Sequence, residues 1–123
     1  MIQGRVRRHE GLHAEIPLRI LGQGRAETLT VTIDTGFTDY LVLPNETIQF
    51  LRPPVRRETN VLLASDNILD LNVYDAMVEL DGETFEIEVY EAEGDPLVGM
   101  ALLTGFRLDV EVTSGGEVRV EGL

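Results

Sequence analysis

The chain has 123 residues, 43% of them hydrophobic, and no apolar run near the roughly 20 residues that a membrane-spanning helix needs. We therefore expect one domain, residues 1–123, with a core of its own and no membrane partner. The net charge of −12 would repel nucleic acid, and the absence of cysteine excludes disulfides, thiol catalysis and thiolate metal sites.

Residues 1–10 are basic but are not followed by a long apolar segment, so we expect no secretory signal and a cytoplasmic location.

The first predicted elements are two strands that form a hairpin. Apolar residues alternate over residues 12–20 and again over residues 28–33, with the turn residues 22–25 between them. Pro17 indicates that the first strand lies at a sheet edge for part of its length.

The tripeptide Asp34-Thr35-Gly36 follows the second strand directly. Alternation in the strand places one face against a core and brings Asp34 to the strand end. A carboxylate at such a place is suited to proton transfer. Because Asp, Thr and Gly are also ordinary turn residues, the tripeptide alone leaves open a turn without chemistry.

The rest of the chain predicts more short strands and one or two short helices. A strand over residues 40–43 leads into a helix that starts near Pro44 and ends before Pro53-Pro54. Strands over residues 58–64 and 68–80 flank a polar tip at residues 65–67, and residues 85–89 alternate again. Residues 97–98 run into a helix-like turn closed at Gly105, and residues 106–112 and 118–120 form a last hairpin. This pattern indicates an all-β fold, a closed β-barrel.

Two segments in this order resemble the retropepsin-like aspartic proteases, the single-domain relatives of pepsin that include retroviral and bacterial enzymes. The first is residues 31–44, which contain Asp34-Thr35-Gly36. The second is residues 96–103, which contain the apolar-apolar-Gly segment Leu97-Val98-Gly99. The hairpin between them falls where that family has its flap, and the resemblance extends from about residue 12 to residue 112.

The resemblance implies an aspartic endopeptidase that works as a homodimer on a peptide or protein substrate, without a metal or other cofactor. Asp34 from each subunit would meet across a twofold axis, about 3 Å apart, and the pair would share one proton. The charged member would take a proton from a water held between them while the neutral one protonates the scissile carbonyl oxygen. Thr35 would hydrogen-bond across the dimer, and Gly36 would let the backbone approach Asp34 and substrate closely.

The resemblance also implies roles for the flap and for the residues around the catalytic turn. Phe37 would line a substrate pocket; retroviral enzymes usually have Ala there. The flap tip lacks glycine, and Leu97, Val98 and Gly99 would pack beneath the catalytic turn. Four tip residues would close over an extended peptide: Ala64, Ser65, Asp66 and Asn67.

The sequence leaves open a second function and the meaning of its charge distribution, and it contains one closely spaced histidine pair. A non-catalytic module that keeps the retropepsin fold, for dimerisation or partner binding, is the alternative function, motivated by Phe37, the glycine-free tip and the acidity. His9 and His13 lie four residues apart, but with no paired ligand set nearby we expect no metal site. The acidic second half and the arginine-rich first half are typical of a solvated surface or of a complementary contact between subunits.

Overall fold

Ten strands form one sheet that curls until distant strands pair, and the computed structural model describes this fold over residues 1–62 and 68–123. The strands are β1 (Ile2–Arg8), β2 (Leu12–Leu21), β3 (Ala26–Ile33), β4 (Leu41–Leu43), β5 (Val55–Leu62), β6 (Ile68–Leu80), β7 (Glu83–Glu91), β8 (Leu97–Val98), β9 (Phe106–Val110) and β10 (Glu117–Gly122). Within the described residues there is one helix, α1 (Asn45–Leu51), between β4 and β5.

The sheet closes into a barrel through one extra pairing. Hydrogen-bonded neighbours follow the order β5-β6-β7-β4-β8-β3-β2-β1-β10-β9, and β2 also pairs with β6. This pairing joins residues 19–21 to residues 77–79 and closes a ring of six strands: β2, β3, β8, β4, β7 and β6. The prediction of an all-β fold with a closed β-barrel is confirmed.

The alternation in the sequence places the core as predicted. On β2, Ile16, Leu18 and Ile20 are at most 1% exposed, and on the neighbouring strand Val31 is fully buried. The predicted hairpin is confirmed, because β2 pairs with β3 in antiparallel register from Glu15 to Leu21. Burial of this apolar face supplies the main stabilisation of the sheet.

Pro17 lies where β2 has a neighbour on one side only. It is opposite Thr30 of β3, but β1 pairs with β2 only as far as Glu15, and β6 begins its pairing at Arg19. Since proline cannot donate a backbone hydrogen bond, this gap between two neighbours tolerates it. The expectation of an edge position for part of this strand is confirmed.

The N-terminal strand β1 is not predicted by the sequence. Three arginines occupy its seven residues, and Val6 is its one buried side chain, at 3% exposure. Pairing on both sides, with β2 and with β10, holds it in the sheet. The weak alternation of Ile2, Gly4 and Val6 with polar residues is the sequence signal that indicates this strand.

Two predicted elements differ from the structure. Residues 100–104 form turns rather than a second helix, and Gly105 closes them with a φ of 86°. The strand predicted over residues 106–112 ends at Val110, and Val112 is 74% exposed. The N–H of Glu111 already donates to Glu117 O across the hairpin, so the chain turns before Val112 can face the core. The predicted end of α1 before Pro53-Pro54 is confirmed.

Candidate active site

Asp34 lies one residue past the end of β3, half-buried, at the start of the turn. The N–H of Gly36 donates to Asp34 Oδ1 at 2.9 Å, and the N–H of Phe37 donates to Asp34 O at 3.1 Å. These two bonds fold the turn around the carboxylate and orient one of its oxygens. The other carboxylate oxygen, Oδ2, accepts no hydrogen bond from this turn.

The two-residue strand β8 fixes the end of β3 in space. Val98 pairs in parallel register with Ile33 of β3 and in antiparallel register with Leu41 of β4, so β8 lies between them. The N–H of Asp34 donates to Val98 O at 2.9 Å. Val98 and Leu41 are fully buried, so the backbone that carries Asp34 is anchored in the core.

Gly99 lies under the segment that follows the Asp34 turn. A Cβ at this position would overlap Asp39 O and would lie 2.7 Å from Phe37 O, both backbone atoms. Two hydrogen bonds hold the same segment: Met100 N–H donates to Phe37 O at 2.8 Å, and Gly99 N–H donates to Tyr40 O at 3.0 Å. Only glycine therefore allows this close approach of the two backbones.

Phe37 lies beside the Asp34 turn and packs on an aromatic neighbour. Its ring meets Tyr90 of β7 edge-on, with centroids 6.4 Å apart and the planes at 77°. Burial, together with the neighbouring Asp39 carboxylate, raises the pKa of Tyr90. The Phe37 and Tyr90 rings thus form an aromatic wall beside the residues that follow Asp34, and the Tyr90 hydroxyl stays neutral across the physiological range.

Ion pairs connect the hairpin β5–β6 to β7. Arg57 of β5 donates two hydrogen bonds to Glu88 of β7, at 2.6 and 3.0 Å; within the hairpin itself, Arg56 donates to Asp75 of β6 at 2.9 Å. The Arg57 bonds lower the pKa of Glu88 despite its partial burial. Because the two terminal nitrogens of Arg57 bind the two carboxylate oxygens of Glu88, this pair fixes the orientation of β5 on the barrel.

A second polar link joins α1 to the barrel. Glu91, at the end of β7, accepts hydrogen bonds from Tyr74 of β6 at 2.8 Å and from Asn45 of α1 at 2.7 Å. Burial is the main reason that the pKa of Tyr74 is raised, and the hydrogen bond to Glu91 raises it further. The helix that follows β4 is therefore fixed to the two strands that lie beside it.

Some of the predicted site residues come together and others do not. The structure gathers Asp34, Gly36, Phe37, Val98 and Gly99 around one turn. Leu97 is half-buried and pairs with residues of β3 and β4. Thr35 is exposed at the tip of the turn. The predicted flap residues Ala64, Ser65, Asp66 and Asn67 lie outside the described residues.

Two neighbours of the turn are missed by sequence reasoning, Asp39 and Tyr90. Asp39 has the composition of an ordinary turn residue, and Tyr90 lies in a strand more than fifty positions further along the chain. No local sequence pattern therefore indicates that the two side chains meet beside the Asp34 turn. Parallel pairing of β4 with β7, which sets Val42 opposite Tyr90, is the contact that brings Tyr90 to the turn.

The described residues contain no group of three or more His, Asp or Glu side chains arranged to hold a metal ion. His13 Nε2 lies 2.8 Å from the backbone oxygen of His9, so the His13 ring contacts the backbone of His9 rather than its side chain. In the part of the chain that the structure describes, no helix is long and apolar enough to cross a membrane.

Comparison with known proteins supports the fold. No protein-family model and no curated protein matches the sequence. Among solved structures, the chain is similar to a retropepsin-like aspartic protease from Rickettsia conorii, with a TM-score of 0.57 and 16% sequence identity. The alignment covers 100% of this chain and 91% of that one. This similarity shows a retropepsin-like fold.

Proposed function

We propose that this chain is an aspartic endopeptidase, active as a homodimer in which each subunit contributes Asp34. The observation that carries the proposal is the position of Asp34: a half-buried carboxylate at the end of β3, with one oxygen bound by the Gly36 N–H and β8 anchored beneath it. The fold that the chain shares with an aspartic protease supports it. Residues 1–123 would form one protease domain.

One Asp34 per chain is half of the chemistry that peptide hydrolysis needs. Two carboxylates that meet in one site cannot both be charged, so the pair holds one proton. The charged carboxylate takes a proton from a water held between them, and that water attacks the scissile carbonyl carbon while the neutral carboxylic acid gives its proton to the carbonyl oxygen. Collapse of the resulting diol then breaks the C–N bond: the carboxyl that took the water's proton gives it to the leaving amine, and the other carboxylate takes a proton from a diol hydroxyl, so that the pair again holds one proton.

The rest of the turn serves this chemistry by holding the carboxylate still. Gly36 fixes Asp34 Oδ1 and leaves Oδ2 for the water and the partner carboxylate. Thr35, exposed in one chain, would be covered by the second subunit and would hydrogen-bond across the twofold axis. Beneath the turn, Leu97, Val98 and Gly99 form the support.

Substrate would bind between the aromatic wall and the flap. Phe37 would border the side-chain pocket nearest to Asp34, and its ring is held in place by Tyr90. An extended peptide would be covered by the flap residues Ala64, Ser65, Asp66 and Asn67 through main-chain hydrogen bonds. A large Phe37 favours substrates whose side chain at that pocket is small.

The experiment is a peptide-cleavage assay on a broad library, from acid to neutral pH, with and without a pepstatin-like inhibitor. Wild-type protein should cleave a subset of peptides, and Asp34→Asn should retain the fold but lose cleavage. Thr38→Ala, an exposed position on the same turn, is the matched control and should keep activity.

Two results would contradict the proposal. Cleavage that survives Asp34→Asn would place the chemistry elsewhere. A folded wild-type protein without cleavage at any pH would leave the non-catalytic module with a retropepsin fold as the better description.

A further inference from the structure

Strand β9 is an open edge of the sheet. Among the described residues, β9 pairs with β10 alone and β5 with β6 alone, so these two strands are the ends of the sheet order. β5 contains a register shift between Val55 and Arg57, which is one device that protects an edge from pairing. β9 contains no proline or lysine, and its pairing with β10 is continuous. Of the two edges, β9 is therefore the one open to another strand.

The backbone groups that β9 directs outward follow from its hydrogen bonds to the β10 side. Glu111 N–H donates to Glu117 O, and Leu123 N–H donates to Gly105 O. Because backbone groups alternate between the two sides of a strand, the odd-numbered residues of β9 face β10. The N–H and C=O of Leu108, at the centre of the strand, therefore point to the open edge.

The side chains on either side of Leu108 carry opposite charges. Arg107 and Asp109 have side chains that are 66% and 54% exposed, and Arg107 Nε lies 3.6 Å from Asp109 Oδ2. Across the hairpin, Arg107 faces Glu121 and Asp109 faces Arg119. Opposite charges thus already face each other between β9 and β10, an arrangement that stabilises strand pairing.

This charge pattern is self-complementary in one register. If β9 pairs antiparallel with β9 of a second copy about a twofold axis at Leu108, each Arg107 faces the other copy's Asp109. The two Leu108 residues then exchange both backbone hydrogen bonds. A twofold axis at Arg107 or at Asp109 would instead set like charges directly opposite each other, which destabilises the pair.

We propose that two copies of this chain pair through β9, antiparallel and centred on Leu108. The inference rests on the proposed function in one respect: the second copy is the partner that supplies the other Asp34. A twofold contact between identical strands is isologous and closes as a dimer, so it does not extend into a fibre.

The position of β9 connects this edge to the catalytic turn. Only the turns at residues 99–105 separate β9 from β8, and Met100 N–H donates to Phe37 O within that stretch. Phe106, the first residue of β9, donates its N–H to Leu103 O. Pairing at β9 therefore fixes the orientation of the segment that supports Asp34 in each copy.

The size of this contact predicts its strength. A ladder of at most five residues on each side, in which the outward N–H of Phe106 is already bound to Leu103 O, buries less than the roughly 1,200 Å² of a stable specific interface. The paired catalytic turns and the bound peptide add the remaining contact. We therefore expect a reversible dimer that substrate strengthens, by mass action on the paired form.

The test is charge reversal at the two positions that face each other, measured by sedimentation over a range of concentrations. Arg107→Asp sets a carboxylate against the other copy's Asp109, and Asp109→Arg sets a guanidinium against the other copy's Arg107. Each variant alone should dimerise about tenfold or more weakly than wild type. Arg8→Asp, an exposed reversal on β1 with the same change in net charge as Arg107→Asp, is the control and should dimerise like wild type.

Mixing the two reversed variants separates the contact between copies from the contacts within one. In the mixture, the carboxylate introduced by Arg107→Asp keeps the same β10 neighbours in its own chain, but it faces the guanidinium introduced by Asp109→Arg in the other chain. Every facing pair between the two chains then has opposite charges again, as in wild type. A one-to-one mixture should therefore recover most of the lost association, as a heterodimer.

Recovery on mixing supports pairing through β9. If wild type dimerises and both reversed variants dimerise equally tightly, the β9 contact is overturned, while cleavage that depends on Asp34 would still stand with another interface. If wild type stays monomeric at every concentration, with and without a peptide substrate, the β9 contact is overturned as well. Thermal melts of each variant show whether the monomer itself remains folded.

Discussion

Gly99 offers a direct test of the packing beneath the Asp34 turn. A Cβ there would overlap Asp39 O and would lie 2.6 Å from Phe37 Cδ2 and 2.7 Å from Phe37 O. The two oxygens belong to the backbone and cannot rotate away, so the turn or β8 must move. Overpacking costs about 1–3 kcal/mol, and two backbone contacts place Gly99→Ala at the upper end, about 3 kcal/mol.

Thermal unfolding followed by circular dichroism measures this cost. For a chain of this length, about 3 kcal/mol corresponds to a fall in Tm on the order of 10 °C. The matched control is Gly122→Ala on β10, where a Cβ meets no atom within 4 Å, and its Tm should stay close to that of wild type. A Gly99→Ala protein that melts with the control would refute the close approach of the two backbones.

Three further predictions concern the site and the barrel. Gly36→Ala places a Cβ 3.3 Å from the carboxylate that Gly36 binds, so peptide cleavage should fall several-fold while Tm changes little. Hydrogen bonds from Arg57 lower the pKa of Glu88 below its ordinary 4.5. Their contribution to the free energy of unfolding is therefore present above that pH, and it is lost as the pH falls through the lower pKa that Glu88 has in the folded state. Arg57→Ala should therefore be less stable than wild type at neutral pH, with a difference in urea denaturation that shrinks in acid; a constant difference would contradict this. Leu41→Ala removes a fully buried side chain and should cost about 2–5 kcal/mol in urea denaturation, against under about 1 kcal/mol for the exposed Leu12→Ala.

The long barrel strands β2 and β3 are predictable from the sequence because each buries one face. Residues 12–20 and 28–33 alternate cleanly, and the structure pairs them as β2 and β3. The same alternation places Asp34 just past the end of β3, which the structure confirms. Where burial is one-sided and the turn residues are clear, local pattern and tertiary structure agree.

The differences arise where long-range pairing decides the structure. β1 has one buried side chain, so its strand conformation depends on β2 and β10 rather than on its own pattern. β8 has only two residues, and its position between β3 and β4 cannot be inferred from so short a segment. Val112 continues the alternation of β9, but the hairpin turns before it.

The central claim is that two Asp34 carboxylates, one from each copy, form the active site, and subunit mixing tests it most directly. Wild-type protein is titrated with a growing excess of Asp34→Asn protein, and peptide cleavage is measured per wild-type chain. If the site is shared, cleavage per wild-type chain falls with the share of wild-type chains in the mixture, because mixed dimers have a single carboxylate. Cleavage per wild-type chain that stays constant through the titration would contradict the claim.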